Sequence, residues 1–86
     1  GSGGILTAQA RDDQSQNIDD LVYEWTVLPE TGTASLVEVD RNGRQVKVNN
    51  DNPLTTAGST LKVSVSATYR GIPLSGTSNS LTLDGP

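Results

Sequence analysis

Apolar residues return at every second position along most of this chain, and no window shows the three- and four-residue spacing of a helix face. The longest such run is 60–70. It sets Leu61, Val63, Val65, Ala67 and Tyr69 on one face and Lys62, Ser64, Ser66, Thr68 and Arg70 on the other. Alternation of that length predicts a half-buried strand. The stretch 21–28 alternates in the same way, with Leu21, Tyr23, Trp25 and Val27 inward and Val22, Glu24 and Thr26 outward. It holds the only tryptophan, and Pro29 is expected to end it, because proline cannot continue a central ladder.

Four shorter strands are predicted. In 5–11, Leu6, Ala8 and Ala10 face in, and their small size leaves room opposite for Trp25. The stretch 35–40 turns Val37 and Val39 inward, 45–49 turns in Val46 and Val48, and 79–83 turns in Leu81 and Leu83. Between 35–40 and 45–49 lies Arg41-Asn42-Gly43-Arg44. Asn-Gly between alternating runs predicts a hairpin with a type I′ turn, whose two central residues need positive φ. The residues 12–20 read as a polar loop, 29–32 as a turn, 49–53 as a loop, 54–59 as irregular and 71–76 as a connection. Six strands with turn residues between them predict an all-β sandwich.

At 86 residues the chain makes one domain near the small end of what folds alone. Hydrophobic content is 33%, with no Phe, Met or Cys, so Val, Leu, Ile and Ala, Val63 and Val65 among them, must build the core around Trp25, Tyr23 and Tyr69. The net charge of −4 argues against a nucleic-acid partner, which requires a basic stripe. No apolar run reaches the ~20 residues of a membrane-spanning helix, so direct membrane insertion is not expected. Gly1–Gly4 reads as a cloning scar, 5–83 as the domain and 84–86 as the start of a linker.

Three pieces carry a resemblance. Tyr23-Glu24-Trp25-Thr26 after an acidic loop resembles the "Y-x-W-T" strand of bacterial immunoglobulin-like and PKD-like repeats. The run from Gly58 to Gly71 is similar to their penultimate strand, and Ser78-Asn79-Ser80-Leu81-Thr82-Leu83 looks like their closing one. Such repeats occur in invasin- and intimin-like adhesins and in other secreted or surface proteins of bacteria and phages. The resemblance implies an immunoglobulin-like β-sandwich with Greek-key connections and about six to seven strands. By it 21–28 is strand C, 60–70 strand F and 79–83 strand G, with sheets roughly B–E and C–F–G.

The chain departs from that family in several places. The B–F cysteine pair of antibody domains is absent, and the aspartate-rich turn typical of PKD repeats is missing after strand C. Tyr69 falls at the end of strand F, so no tyrosine corner is expected. If 5–11 is strand B, the first strand is missing: either it was trimmed, or the first sheet carries an open edge that invites an edge-strand dimer or strand addition.

The function the resemblance implies is non-catalytic. It is that of a module of a secreted or cell-surface bacterial protein, acting in adhesion, in protein binding, or as a spacer among neighbouring immunoglobulin-like domains. The alternatives are a carbohydrate-binding accessory domain of a secreted enzyme and a phage or secretion-apparatus decoration domain. The residues agree with a non-catalytic role, since there is no His and no Cys to act as general base, thiolate or zinc ligand.

No cofactor is expected, with calcium at Asp12, Asp13, Asp19 and Asp20 the one candidate; Asp84 would join them if the fold brought it near. Against it stand a spacing that matches no EF-hand or repeat calcium loop and the plainer role of a solvated loop. The residues with the best claim to a partner are Arg70, Ile72 and Leu74. Two large apolar side chains have little reason to sit on a loop tip unless they fold back or meet a neighbour.

Overall fold

Alternation becomes nine short strands and one 3₁₀ turn in the computed structural model, which describes residues 2–85. In chain order the strands are β1 (Ser2–Thr7), β2 (Ala10–Arg11), β3 (Asn17–Ile18), β4 (Glu24–Thr31), β5 (Glu38–Asn42), β6 (Gln45–Asn49), β7 (Thr60–Tyr69), β8 (Ile72–Thr77) and β9 (Leu81–Thr82). The 3₁₀ turn, Ala34–Leu36, precedes β5. Every pairing is antiparallel. One sheet has the order β1-β6-β5 and another β4-β7-β8, with β9 pairing β7 beyond the end of β8. β2 and β3 form a separate two-stranded ribbon. The chain is all-β, as the period-two pattern requires.

The two larger sheets pack their apolar faces together. Val46 and Val48 from β6 meet Trp25, Leu61 and Val63 from β4 and β7, with Ala34, Val37 and Leu83 closing the cluster. Val46 and Leu61, each fully buried, sit on the central strands of the two sheets. Trp25 is buried, and its indole N–H donates to the Gly43 carbonyl at 3.1 Å, tying β4 to the β5–β6 turn. Arg41 Nε reaches back to the Trp25 carbonyl at 3.4 Å.

Strand boundaries moved where tertiary context outweighed local pattern. The predicted strand 5–11 keeps its faces but breaks at Ala8 and Gln9, because Ala10 and Arg11 leave β6 to pair with β3. The polar loop 12–20 therefore contains a strand, and it buries Ile18. At its other end β1 starts at Ser2, so one residue read as part of a scar pairs with Asn49.

The predicted strand 21–28 begins three residues late, with Val22 84% exposed ahead of it, and runs through Pro29 to Thr31. Proline is tolerated there because β4 is an edge strand, and a bulge follows at once. The start of the predicted strand 35–40 is the 3₁₀ turn. In 79–83 only Leu81 and Thr82 are strand, although Leu83 still donates to Ser59 O at 2.9 Å.

Both hairpins also differ from expectation. Asn42 pairs Gln45, so the two-residue turn is Gly43-Arg44, with positive φ at Gly43 and not at Asn42. That is the pattern of a turn with glycine in its first central position. The type I′ signature, positive φ at both residues, occurs instead at Arg70 and Gly71. They join β7 to β8, and the predicted connection 71–76 is a strand.

Candidate functional site

The inner face of the β4-β7-β8 sheet is built in rows. Trp25 lies opposite Val65, which lies opposite Gly76; one row further on, Ala67 lies opposite Leu74, and then Tyr69 opposite Ile72. Burial falls along this series. Val63 is buried, Val65, Ala67 and Leu74 are half-buried, and Ile72 is 59% exposed. From the facing side come Leu6 of β1, Ala8 just past its end and Ala10 of the β2–β3 ribbon, all half-buried.

Small residues thus face each other across this end of the molecule. Ala8 and Ala10 stand opposite Ala67 and Gly76, and the space they do not fill is a cleft of about 320 Å³. Leu6, Tyr23, Trp25, Val63, Val65 and Leu74 supply its apolar walls, and Thr7, Gln9, Ser75, Thr77 and Ser78 its polar rim. The Tyr23 hydroxyl is buried and has no hydrogen-bond partner among the described residues. Two strand edges flank the cleft: β1 ends one sheet and β8 the other.

Of the residues expected to meet a partner, Leu74 lines this cleft and Ile72 lies just beyond it on the same face of β8. Neither is on a loop tip. Arg70 occupies the turn at φ 51°, with its guanidinium 5.1 Å from the centre of the Tyr69 ring, a cation–π contact. Tyr23, Trp25, Val63 and Val65 belong to the core cluster or pack against it, and all four also line the cleft.

The acidic loop is held as a turn. Asp12 Oδ1 accepts hydrogen bonds from the Gln14 and Gln16 amides, both at 2.9 Å, and Asp12 N donates to Gln16 O at 2.9 Å. Ser15 takes positive φ to close it. Asp13, Asp19 and Asp20 are exposed. Among the described residues no group of three or more carboxylates converges as a metal site. Asp84 is not near them. It follows Leu83, which binds Ser59 before β7 begins, whereas Asp19 and Asp20 lead towards Glu24, which pairs Ser66 further along β7.

The small inner face of 5–11 was legible, but Trp25 does not fill the room opposite it as expected: it borders the cleft, with its indole tied to Gly43, and the space stays open. The opposite wall was not legible, because which β8 residues meet it depends on the register of the β7–β8 hairpin. Compared with known proteins, the chain matches no family model, no curated protein and no solved structure.

Proposed function

We propose that this chain is a non-catalytic immunoglobulin-like module of a secreted or cell-surface bacterial protein, and that it works by binding another polypeptide at the seam between β1 and β8. The sheet orders support the fold assignment. β1, β6 and β5 follow the order B-E-D, and β4, β7 and β8 the order C-F-G, with β9 extending strand G. The observation that carries the functional reading is the seam itself. It is an apolar cleft beside two strand edges, and an extended peptide fits both.

A carbohydrate-binding role finds less support, since sugar stacking calls for open aromatic faces. Trp25 is committed to the core, and the Tyr69 ring is covered by Arg70.

The test is a photo-crosslinking residue at Thr77 on the cleft rim, compared with the same residue at Thr68, which does not line the cleft. Incubation with cell-surface proteins should label a polypeptide from Thr77 and not from Thr68. Equal labelling at both positions, or none at Thr77, removes the seam as the binding surface.

A further inference from the structure

We propose that Asn42-Gly43 is a self-modification site: Asn42 deamidates in the folded chain, and its isoaspartate product loosens one end of the β1–β8 cleft. Asparagine is among the heat-labile residue types, and the reaction needs only water and the chain's own atoms. The Gly43 amide nitrogen loses its proton to base and attacks the side-chain carbon Cγ of Asn42. A C–N bond forms, the bond from Cγ to Nδ2 breaks, and Nδ2 leaves as ammonia. The cyclic imide left behind adds water at either of its two carbonyls. One opening gives aspartate. The other gives isoaspartate, whose main chain runs through the former side chain and is one carbon longer.

The fold leaves this pair open to reaction. Asn42 ends β5, and both it and Gly43 are exposed. Asn42 pairs Gln45, so the ladder closes outside Gly43, whose N–H takes no part in it. Glycine has no side chain to shield that nitrogen, and nothing lies within 4 Å of where a Cβ would stand.

The other asparagines are placed differently. Asn17 precedes the β-branched Ile18 within β3, which crowds the attacking nitrogen. Asn52 precedes Pro53, which has no N–H to lose. Asn49 lies in β6 and donates to Asp40 Oδ2 at 2.6 Å, and Asn50 is buried. Asn79, exposed and followed by Ser80, is the nearest competitor.

The consequence follows from what the turn holds. Gly43 O accepts the Trp25 indole N–H at 3.1 Å, and Arg41 Nε reaches the Trp25 carbonyl at 3.4 Å. Arg44 O accepts from Ala8 N at 2.7 Å, and the Arg44 guanidinium donates to Gln9 Oε1 at 2.8 Å. Residues on both sides of Asn42 thus tie the hairpin to Trp25, Ala8 and Gln9, and all three line the cleft. An extra main-chain carbon at position 42 shifts Gly43 and Arg44 away from these partners. The aspartate product adds a charge at an exposed position but keeps the main chain, so it leaves the bonds in place. Neither step depends on what the cleft binds.

The test is incubation of the purified chain at mildly alkaline pH, followed by peptide mapping and isoaspartate-specific methylation. Position 42 should exchange its amide for an acid roughly tenfold faster than position 79, or about 1.4 kcal/mol in the barrier. The isoaspartate form, isolated by chromatography, should melt about 4–8 °C below the parent, with red-shifted Trp25 emission. Asn42→Asp, which carries the charge without the longer chain, should melt with the parent, as exposed substitutions ordinarily do. Conversion at Asn79 ahead of Asn42 overturns the site. Isoaspartate at position 42 with melting and emission unchanged overturns the link to the cleft, as does an equal loss in Asn42→Asp.

Discussion

Gly32→Ala tests how the far end of the β4–β7 pair is held. Gly32 has φ 65°, and a Cβ built there would overlap Ser59 Oγ. That hydroxyl is the centre of a small network. It accepts from Thr33 N at 2.9 Å, donates to Thr56 O at 2.8 Å and lies 3.0 Å from Thr56 Oγ1. Ser59 itself is buried. Two costs follow from the substitution. The left-handed backbone costs an alanine about 1–2 kcal/mol, and pushing Ser59 off its partners loses about another 1–2 kcal/mol of hydrogen bonding. A total of roughly 3 kcal/mol should lower the melting temperature by about 12–24 °C in a domain this small.

The assay is thermal unfolding followed by Trp25 fluorescence and circular dichroism, run as a double-mutant cycle with Ser59→Ala. Ser59→Ala alone forfeits the network and should cost about 1–3 kcal/mol. In that background the overlapping oxygen is gone, although the Cβ and Cα of residue 59 stay close at 3.0 and 3.2 Å, so Gly32→Ala should cost less than in the parent, down to a floor of the backbone term of about 1–2 kcal/mol. If Gly32→Ala costs the same in both backgrounds, the contact between Gly32 and Ser59 is not what makes glycine necessary.

Other consequences can be checked on the same instruments. Trp25→Ala should destabilise the chain by about 3–5 kcal/mol, enough to unfold much of a domain this size; Trp25→Phe keeps a ring but loses the bond to Gly43 O, and should cost about 1–2 kcal/mol. Ile72→Ser should leave stability within about 0.5 kcal/mol, whereas Leu74→Ser, on the cleft wall, should lower it by more than 1 kcal/mol; equal effects would mean that the inner face does not lose its cover along β8. Asp12→Ala removes the acceptor for two amides and should cost about 1 kcal/mol, read as the shift in a urea midpoint. If the acidic loop takes calcium, melting in calcium will exceed melting in chelator; superimposed curves remove calcium as its ligand.

The local pattern carried a good deal of this protein. Period two placed Leu61, Val63, Val46, Val48 and Trp25 inward, and all five are buried. It also set Leu6, Ala8 and Ala10 on one face. Facing is legible because a residue's side of a strand depends only on its parity.

Strand ends and turns were less legible, since each depends on what lies alongside. Pro29 reads as a stop unless β4 is known to be an edge, and edge position is a property of the assembled sheet. Arg70-Gly71 lacks the Asn-Gly or Asp-Gly signal of a type I′ turn, and only pairing through Tyr69 and Ile72 defines it. The 12–20 loop shows no alternation, so the burial of Ile18 follows from the ribbon that β2 and β3 form.

The cleft belongs wholly to the tertiary structure. Ala8 and Gly76 are 68 positions apart, and neither signals a space until two sheets set them across from each other. The sequence by itself determined an all-β chain, its inward faces and its lack of histidine and cysteine chemistry. Sheet order and register decided which edges stay open and which small residues meet, because both are set by long-range backbone pairing that no local pattern encodes.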